Sequence, residues 1–278
     1  MKILVPIKRV LDPDLIARIP FDADAHALRA APGDHKPNTF DEYAVETALR
    51  ILETTGVAGE VILVSIGDDA VQDALRQCLA LGAHQAIHIR TENNDTPHDA
   101  TSVAALLAAL AQRVQPNIIL LGKQASDHDA AQVPAMLSER LALPGAFNLS
   151  QLDLAADARS ATCHCGIRQG TLRLRVAFPA VLSVDLRIVA PRSVRVDNRD
   201  TAYPDGLRFA ALRQVMAAKK KPIQTLTPAE LGLGETPLTR ITGHAPPEAA
   251  PPCHMLSHIG ALPPHLLFPN RPHRRGAP

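Results

Sequence analysis

Residues 122–132, GKQASDHDAAQ, combine a glycine, a lysine and two aspartates with hardly any apolar side chain. The preceding run NIILL is typical of a buried strand, and the segment that follows is amphipathic like a helix. Glycine lets a backbone come close to a ligand, and the polar groups around it donate and accept hydrogen bonds. The stretch therefore indicates a ligand-binding loop between a strand and a helix, although a solvated connecting turn has a similar composition.

The segments around this loop alternate between strand and helix patterns. Apolar runs at 2–8, 60–67, 85–90 and 117–124 predict strands, and periodic segments at 41–56, 68–83, 101–114 and 131–142 predict helices. Asn38 or Thr39 is a candidate cap for the first helix, and Gly56 ends it. Such short alternation predicts right-handed crossover units in a doubly wound, mostly parallel sheet of Rossmann-like type. Ligands bind there beyond the carboxyl ends of the strands, where residues 122–132 lie.

The pattern changes after about residue 147. Alternation with a period of two residues over 147–178 predicts an antiparallel hairpin beside the sheet, and 180–187 predicts a further strand. Residues 188–206 are rich in charges and turn formers, which predicts a long exposed loop. A basic helix is predicted over 207–221, and Thr227, Pro228 and Glu230 form a capping-box pattern.

Composition excludes several classes of function. The 278 residues are 46% hydrophobic, which is enough for a sizeable core, but only 3% aromatic. With 29 basic and 28 acidic side chains the net charge is +1, so we expect no nucleic-acid partner. No apolar run has the ~20 residues of a membrane span, so we expect no membrane insertion. Four cysteines and no signal-peptide pattern favour the cytoplasm.

Seven segments resemble one family in order and spacing: KILVPIKRV, NTFDEYAVETALRI, VSIG, LALGAHQAIHI, ILLGKQASDHDAAQ, PAVLSVDLR and VMAAKKKPIQTLTPAELGL. They resemble the β subunit of electron transfer flavoproteins over most of residues 1–240. The resemblance implies a heterodimer with an α subunit that carries the redox-active FAD. Electrons would pass from acyl-CoA or other flavin dehydrogenases to that FAD, and then to a quinone oxidoreductase. The β subunit is then an electron-carrier subunit rather than an enzyme.

The resemblance also implies a nucleotide site. Most family members bury an AMP without a redox role, and electron-bifurcating relatives hold a second FAD in the same place. Val133, where AMP-holding members often have threonine, leans towards FAD, whereas the AAKKK and DLR segments favour AMP, which we expect. The implied cofactor-binding residues are Pro6, Asn38, Thr39, Phe40, Asp41, Ile66, Gly122, Lys123, Gln124, Ala125, Ser126, Asp127, His128, Asp129, Ala130, Ala131, Gln132 and Val133.

The chemistry of these residues suits an adenylate. Backbone amides at the start of the following helix can donate to a phosphate. Asp127 and Asp129 are better suited to capping the helix or accepting from ribose hydroxyls, and Gln132 offers a neutral hydrogen bond. Lys123 has two alternatives, since it can pair with the phosphate or with the partner chain.

A docking segment is the second feature that the resemblance implies. In the family a leucine ahead of a lysine cluster anchors the β subunit in an apolar pocket of the dehydrogenase. The matching residues are Leu212 and then Lys219, Lys220 and Lys221. An apolar anchor beside basic residues gives a weak, salt-sensitive contact. The alternative is that Leu212 faces the core and the lysines form a solvated face.

Three parts depart from the family pattern. The link at 188–206 is longer, the hairpin turn is CHCGIRQG instead of an acidic double-glycine turn, and the C-terminal tail has no counterpart. We expect a nucleotide-binding domain over 1–187 with its hairpin at 147–178. A partner-recognition loop, basic helix and C-terminal arm would follow over 188–241, and a disordered tail rich in proline, histidine and arginine over 242–278.

Two other kinds of site have weaker support. Cys163, His164 and Cys165 alternate between the faces of a strand and lack C-x-x-C spacing, as does the pair Cys253 and His254, so we expect no metal site. An adenine-nucleotide-hydrolysing enzyme would need a phosphate loop, and no G-x-x-x-x-G-K-[ST] motif occurs. A nucleotide sensor without a redox partner is the third alternative.

Overall fold

Fourteen strands and five α-helices form in the part of the chain that the computed structural model describes, residues 1–22, 24, 27–91, 99–197, 201–234 and 238–239. The strands are β1 (Lys2–Pro6), β2 (Arg9–Leu11), β3 (Phe21–Asp22), β4 (Ala27–Leu28), β5 (His35–Pro37), β6 (Glu60–Gly67), β7 (Gln85–Arg90), β8 (Ile118–Gly122), β9 (Gly145–Leu154), β10 (Ser160–Ile167), β11 (Gly170–Ala177), β12 (Ala180–Val184), β13 (Val194–Val196) and β14 (Gln224–Leu226). The helices are α1 (Thr39–Thr55), α2 (Val71–Ala80), α3 (Ala100–Val114), α4 (Val133–Leu141) and α5 (Leu212–Lys220).

One large sheet joins ten of these strands in the order β11-β10-β9-β12-β8-β1-β6-β7-β14, with β13 paired to β9. The pairs from β9 through β12 to β14 are parallel, and β10 is antiparallel to both of its neighbours, β9 and β11. The order reverses at β1, because the chain continues to β6 and β7 on one side and later to β8 on the other. The predicted α/β class, a mostly parallel doubly wound sheet with an added antiparallel hairpin, is confirmed.

The sheet is covered on both faces, which explains the nearly unbroken apolar strands. Successive side chains of a strand point to opposite faces, so Ile3 and Val5 pack with α1 and α2, whereas Leu4 packs with α3 and α4. Gly56 ends α1 with a left-handed φ of 64°, as predicted. Within the described ranges we find no helix whose length and hydropathy would let it span a bilayer.

The described part of the segment 188–206 is not the long exposed loop that the sequence predicts. Ile188 and Val189 are buried, and so are Val194 and Val196 of β13, which pairs in parallel with β9. These apolar residues stand apart among charges and turn formers, and their pairing strand lies about 40 residues earlier in the chain. Local patterns therefore could not show that the segment adds a strand to the sheet.

The boundaries of other elements also differ from prediction. The basic helix begins at Leu212 rather than near residue 207, and β14, which was not predicted, adds a parallel strand beside β7. The chain after β1 contains two small two-stranded sheets, β2 with β5 and β3 with β4. The capping box is confirmed, since Thr227 N donates to Glu230 Oε2 (2.7 Å) and Glu230 N donates to Thr227 Oγ1 (3.3 Å). The predicted disordered tail lies outside the described residues.

Candidate functional site

The predicted cofactor-binding residues lie where neighbouring parallel strands end. Pro6 is the last residue of β1, Gly122 is the last residue of β8, and Ile66 is the last but one of β6. β1 lies between β8 and β6, at the reversal of strand order. In α/β sheets this crevice is the place where ligands bind. Three distant segments of the sequence therefore meet at one edge, which we call the rim.

Asn38 ties the first turn of α1 to the loop after β8. Its side-chain Nδ2 donates to the carbonyl of Gln124 (2.9 Å), and its Oδ1 accepts from the amide of Ser126 (3.1 Å). Asn38 is only 1% exposed. It precedes α1 without making a side-chain capping bond, so the predicted capping role is wrong for Asn38. Its amide group fixes the path of the loop instead.

Gly122 is required by a close approach between β8 and α1. A Cβ atom built on Gly122 would lie 2.6 Å from Asp41 Oδ1 and 2.6 Å from Phe40 Cβ. Real Cβ atoms do not come so close to such neighbours, so any side chain here would push the first turn of α1 away from the strand. The atoms that Gly122 lets approach in this structure belong to the protein itself.

Asp41 is a buried carboxyl group at the centre of the rim. Its Oδ2 accepts from the amide of Lys8 (2.8 Å). Burial raises its pKa to about 7, and the hydrogen bonds from Lys8, Asn38 and Gly122 only partly oppose that rise. Asp41 therefore changes its charge near neutral pH, beside the loop that Asn38 holds.

The basic side chains near the loop are paired with carboxylates. Lys123 Nζ lies 2.8 Å from Asp185 Oδ2 and 5.2 Å from the centre of the Phe40 ring. Lys8 Nζ lies 2.5 Å from Asp127 Oδ2. Burial raises the pKa of Asp127, but its hydrogen bond and attraction to Lys8 outweigh burial and leave the pKa below its usual range. Of the two alternatives for Lys123, the structure shows neither, because its partner lies within the chain.

Polar side chains of the remaining loop residues pair with one another at the rim. His128 Nδ1 lies 3.1 Å from Asp127 Oδ2, and Gln124 Nε2 donates to Asp129 Oδ1 (2.6 Å). Asp129 and Ala131 have left-handed φ values of 49° and 51°, so the loop is tightly turned before α4. Ala125, Ala130 and Gln132 lie beside them on the same loop, and Val133 opens α4.

Two buried hydroxyl groups provide a test of whether a nucleotide fits. Ser126 Oγ in the loop and Ser65 Oγ beside Ile66 have no hydrogen-bond partner among the described residues. Buried polar groups are nearly always hydrogen-bonded, so such orphans favour a polar ligand. The amides of Ala131 and Gln132 also donate to no described residue, next to the positive end of the α4 dipole. The residues present therefore fit a phosphate and ribose.

A second surface lies on α5. Leu212, its first residue, has 77% of its surface exposed, so the alternative that it faces the core is wrong. Phe209 (96% exposed) and Met216 (51% exposed) extend the apolar surface on both sides, and together the three residues form what we call the ridge. Leu212 and Met216 share a helical face because they are four residues apart. Sequence reasoning identified Leu212 but missed Phe209 and Met216, because only the folded chain shows that these two side chains are exposed.

The three lysines of the predicted cluster differ in their surroundings. Lys219 and Lys220 are exposed at the end of α5, beyond Met216. Lys221 instead donates from its Nζ to the carbonyl of Ala83 (2.7 Å). Two of the three predicted lysines therefore remain available to a partner, next to the apolar ridge.

Comparison with known proteins decides the family. A model of the electron transfer flavoprotein domain matches residues 29–231. The chain is 36% identical over 233 residues to "Electron transfer flavoprotein subunit beta" of Dictyostelium discoideum, covering 84% of each chain. It is 33% identical over 250 residues to the subunit of that name in Homo sapiens, covering 89% of this chain and 90% of the relative. It is 37% identical over 231 residues to the mitochondrial β subunit of Arabidopsis thaliana, covering 83% of each chain.

This chain belongs to the electron transfer flavoprotein β subunit family. Membership agrees with the resemblance seen in the sequence and with the mainly parallel sheet. It makes the chain a component of an electron transfer flavoprotein, and the name of its relatives implies a partner subunit. The relatives named mitochondrial leave the predicted cytoplasmic location open.

The side chains of Cys163, His164 and Cys165, in the unusual hairpin of this β subunit, lie on alternate faces of β10. Cys163 and Cys165 are buried in the core on one face of β10, and burial raises the pKa of Cys163 to about 12. His164 lies on the opposite face, with its Nε2 2.9 Å from Asp153 Oδ2. No group of three His, Cys, Asp or Glu residues within the described ranges could hold a metal ion. Cys253 and His254 lie outside those ranges.

Two surface cavities lie in this region of the described chain. One, of about 310 Å³, is lined by residues that include Asp153, Arg175 and Arg195. The other, of about 380 Å³, lies between β9 and residues 190–193. Asp153 and Arg195, which line the first cavity, are paired with each other (2.8 Å).

Proposed function

We propose that this chain is the non-catalytic β subunit of a heterodimeric electron transfer flavoprotein, which binds AMP as a structural ligand at the rim. It docks flavin dehydrogenases, such as acyl-CoA dehydrogenases, so that electrons pass to the FAD of the α subunit and then to a quinone oxidoreductase. The observation that carries the nucleotide part is the rim itself. The loop that Asn38 holds at the reversal of strand order carries the buried hydroxyl group of Ser126, and the end of the neighbouring strand β6 carries that of Ser65; neither hydroxyl has a hydrogen-bond partner among the described residues.

The rim suggests a role for each group towards AMP. The hydroxyl of Ser126 and the amides before α4 would hold the phosphate, since the nearby lysines are already paired. Asp129 and Gln132 would accept from or donate to ribose hydroxyls. Pro6 and Ile66, at neighbouring strand ends, would contact the adenine ring. AMP supplies no redox chemistry, and its role is to complete the hydrogen bonding at the rim.

The ridge supports the docking part of the proposal. Exposed apolar side chains that lie close together, such as Leu212 and Met216 on one face of α5, mark interaction sites more often than scattered ones do. Apolar anchors that enter a pocket supply most of the energy of an interface, and exposed Lys219 and Lys220 would speed the encounter with an acidic surface. A contact of this small size dissociates fast, as an electron shuttle requires.

Co-expression with an electron transfer flavoprotein α subunit tests the proposal. We expect a one-to-one yellow complex that releases about one AMP per β subunit on denaturation. Asp129 provides matched variants, because asparagine tolerates its left-handed backbone and a β-branched residue does not. We expect Asp129→Asn to retain AMP and Asp129→Val to lose it.

The same experiment separates the alternatives. A complex with two FAD and no AMP would identify a bifurcating type of subunit. Hydrolysis of ATP by the isolated chain would instead favour an enzyme, and a nucleotide-bound monomer that never pairs with an α subunit would favour a sensor.

A further inference from the structure

The ridge is attached to the body of the molecule through an arginine that is completely buried. Arg50 lies in the middle of α1, and its side chain is 1% exposed. Every nitrogen of its guanidinium group is hydrogen-bonded. Its partners are Glu46 Oε1 (2.7 Å) and the carbonyls of Val189 (2.8 Å), Ala190 (3.2 Å), Pro204 (3.0 Å) and Gly206 (2.7 Å).

Those four carbonyls belong to the segment that leads to the ridge. Two lie at the start of this segment and two at its end, on either side of the undescribed residues 198–200. Arg50 therefore holds both ends of the segment against α1. Arginine suits this role because its rigid fork carries five donors, and no other side chain could satisfy four carbonyls and a carboxylate together.

A second arginine continues the attachment up to the ridge. Arg208, the residue before Phe209, donates to Glu46 Oε2 (2.7 Å) and to Glu53 Oε1 (2.8 Å). Glu46 thus joins Arg50 and Arg208. Burial raises the pKa of Glu46, but hydrogen bonds from Arg208 and Arg50 outweigh burial and keep the carboxylate charged. Two arginines and two glutamates balance in charge.

Tyr203 adds a packing contact to the same network. Its hydroxyl lies 2.7 Å from Thr54 Oγ1, and the guanidinium carbon of Arg50 lies 4.8 Å from the centre of its ring. Residues 203–208 are therefore held on α1 by hydrogen bonds and by a cation–π contact.

The far end of the ridge is also fixed. Arg76 of α2 donates to the carbonyls of Ala218 (3.0 Å) and Lys219 (2.9 Å), and Ala218 is buried. Between these two attachments only Leu212, Met216 and their exposed neighbours project outwards. Ala210 and Val215 pack against the core between these attachments, so the inner side of the segment is held along its length while the ridge faces outwards.

We infer that Arg50 is a positioning residue for the docking ridge: together with Arg208 it fixes residues 203–208 on α1, so that Phe209, Leu212 and Met216 meet a dehydrogenase already in their bound arrangement. This inference rests on the docking function proposed above. A segment ordered before binding loses less conformational freedom on binding, which strengthens the complex without any new contact.

Hydrogen exchange of the full chain tests the positioning without a partner. In Arg50→Lys a lysine keeps the charge but cannot satisfy four carbonyls, so we expect the amides of Tyr203 and Gly206, which bond to Pro191 and Val189, to exchange at least about tenfold faster. Arg140→Lys, on the exposed surface of α4, is the matched control and should leave exchange unchanged. Unchanged exchange at residues 203–210 in Arg50→Lys would overturn the inference.

Kinetics of the complex with its α subunit test the consequence for docking. With reduced acyl-CoA dehydrogenase as the electron donor, we expect Arg50→Lys to raise the KM for the flavoprotein about tenfold and to leave kcat within about twofold. A faster-exchanging segment with an unchanged KM would also refute the inference. Should Arg50→Lys fail to fold, Arg208→Lys serves instead, since lysine cannot bridge Glu46 and Glu53, and the same two results apply.

Leu212→Ala separates this inference from the function on which it rests. If Leu212→Ala leaves the KM unchanged, the ridge is not the docking surface and the proposed function fails at that point. If Leu212→Ala raises the KM and Arg50→Lys does not, docking stands and the positioning role of Arg50 is wrong.

Discussion

Replacing Gly122 with alanine would place a methyl group inside the contact between the end of β8 and the first turn of α1. The new Cβ would lie 2.6 Å from Asp41 Oδ1, 2.6 Å from Phe40 Cβ and 2.7 Å from the carbonyl carbon of Phe40. The Phe40 atoms belong to or adjoin the backbone of α1, so no side-chain rotation relieves the overlap. The start of the helix must move away from the strand by a sizeable fraction of an ångström.

Overpacking of this kind costs about 1–3 kcal/mol. For a domain of ~200 residues each kcal/mol lowers the melting temperature by about 2–4 °C, so we expect Gly122→Ala to melt about 2–12 °C lower than the wild type. The shift of α1 would also move Asn38 away from Gln124 and Ser126, so the variant should release less AMP on denaturation.

Gly33→Ala is the matched control for thermal unfolding. A Cβ atom on Gly33 would meet no atom within 4 Å, and its backbone is not left-handed, so its melting temperature should stay within about 2 °C of the wild type. Equal melting temperatures for Gly122→Ala and Gly33→Ala, with full AMP content in both, would refute the close contact on which the description of the rim depends.

Three other substitutions test separate parts of the site. The pKa of Asp41 is about 7 when folded and near 3.8 when unfolded, so its contribution to stability is present below about pH 4 and is lost as the pH rises to about 7. Urea unfolding of Asp41→Asn should lack this loss of stability. An equal pH dependence of stability in wild type and variant would contradict the assignment. Lys123→Met should lower the free energy of unfolding by about 1 kcal/mol, because it breaks a half-buried ion pair with Asp185, but the variant should retain AMP. Loss of AMP at unchanged stability would show that Lys123 binds the phosphate instead. Leu212→Ala should change the free energy of unfolding by less than about 0.5 kcal/mol, since the side chain is exposed, and it should weaken docking to a dehydrogenase at least about tenfold. Unchanged docking would show that Leu212 is not the anchor.

The sequence predicts the central parallel strands β1, β6, β7, β8 and β12 well because each of them is a local apolar run. Glu60–Gly67 and Gln85–Arg90 begin and end where the pattern indicates. The shorter strand Val194–Val196 was missed because its identity depends on pairing with β9 and not on its own composition. Whether three such residues form a strand depends on the strand with which they pair in the folded chain.

The candidate site likewise has features that the sequence predicts and features that only the folded chain shows. The rim follows from strand ends and the order of elements, so residues such as Pro6 and Gly122 could be placed together from the sequence. The pairing of Lys123 with Asp185, 62 residues later, could not, since any exposed lysine in a loop has many possible partners. The role of Arg50 was equally hidden, because within α1 it has the spacing of an ordinary helical arginine and only the folded chain brings four carbonyls to it.

Nucleotide analysis of the purified heterodimer tests the central claim most directly. The complex is denatured, and the released compounds are separated and quantified by liquid chromatography with mass spectrometry. The account predicts about one AMP for each β subunit and about one FAD for each α subunit. A heterodimer that releases FAD alone, with only water and protein side chains at the rim in an experimental structure, would contradict it.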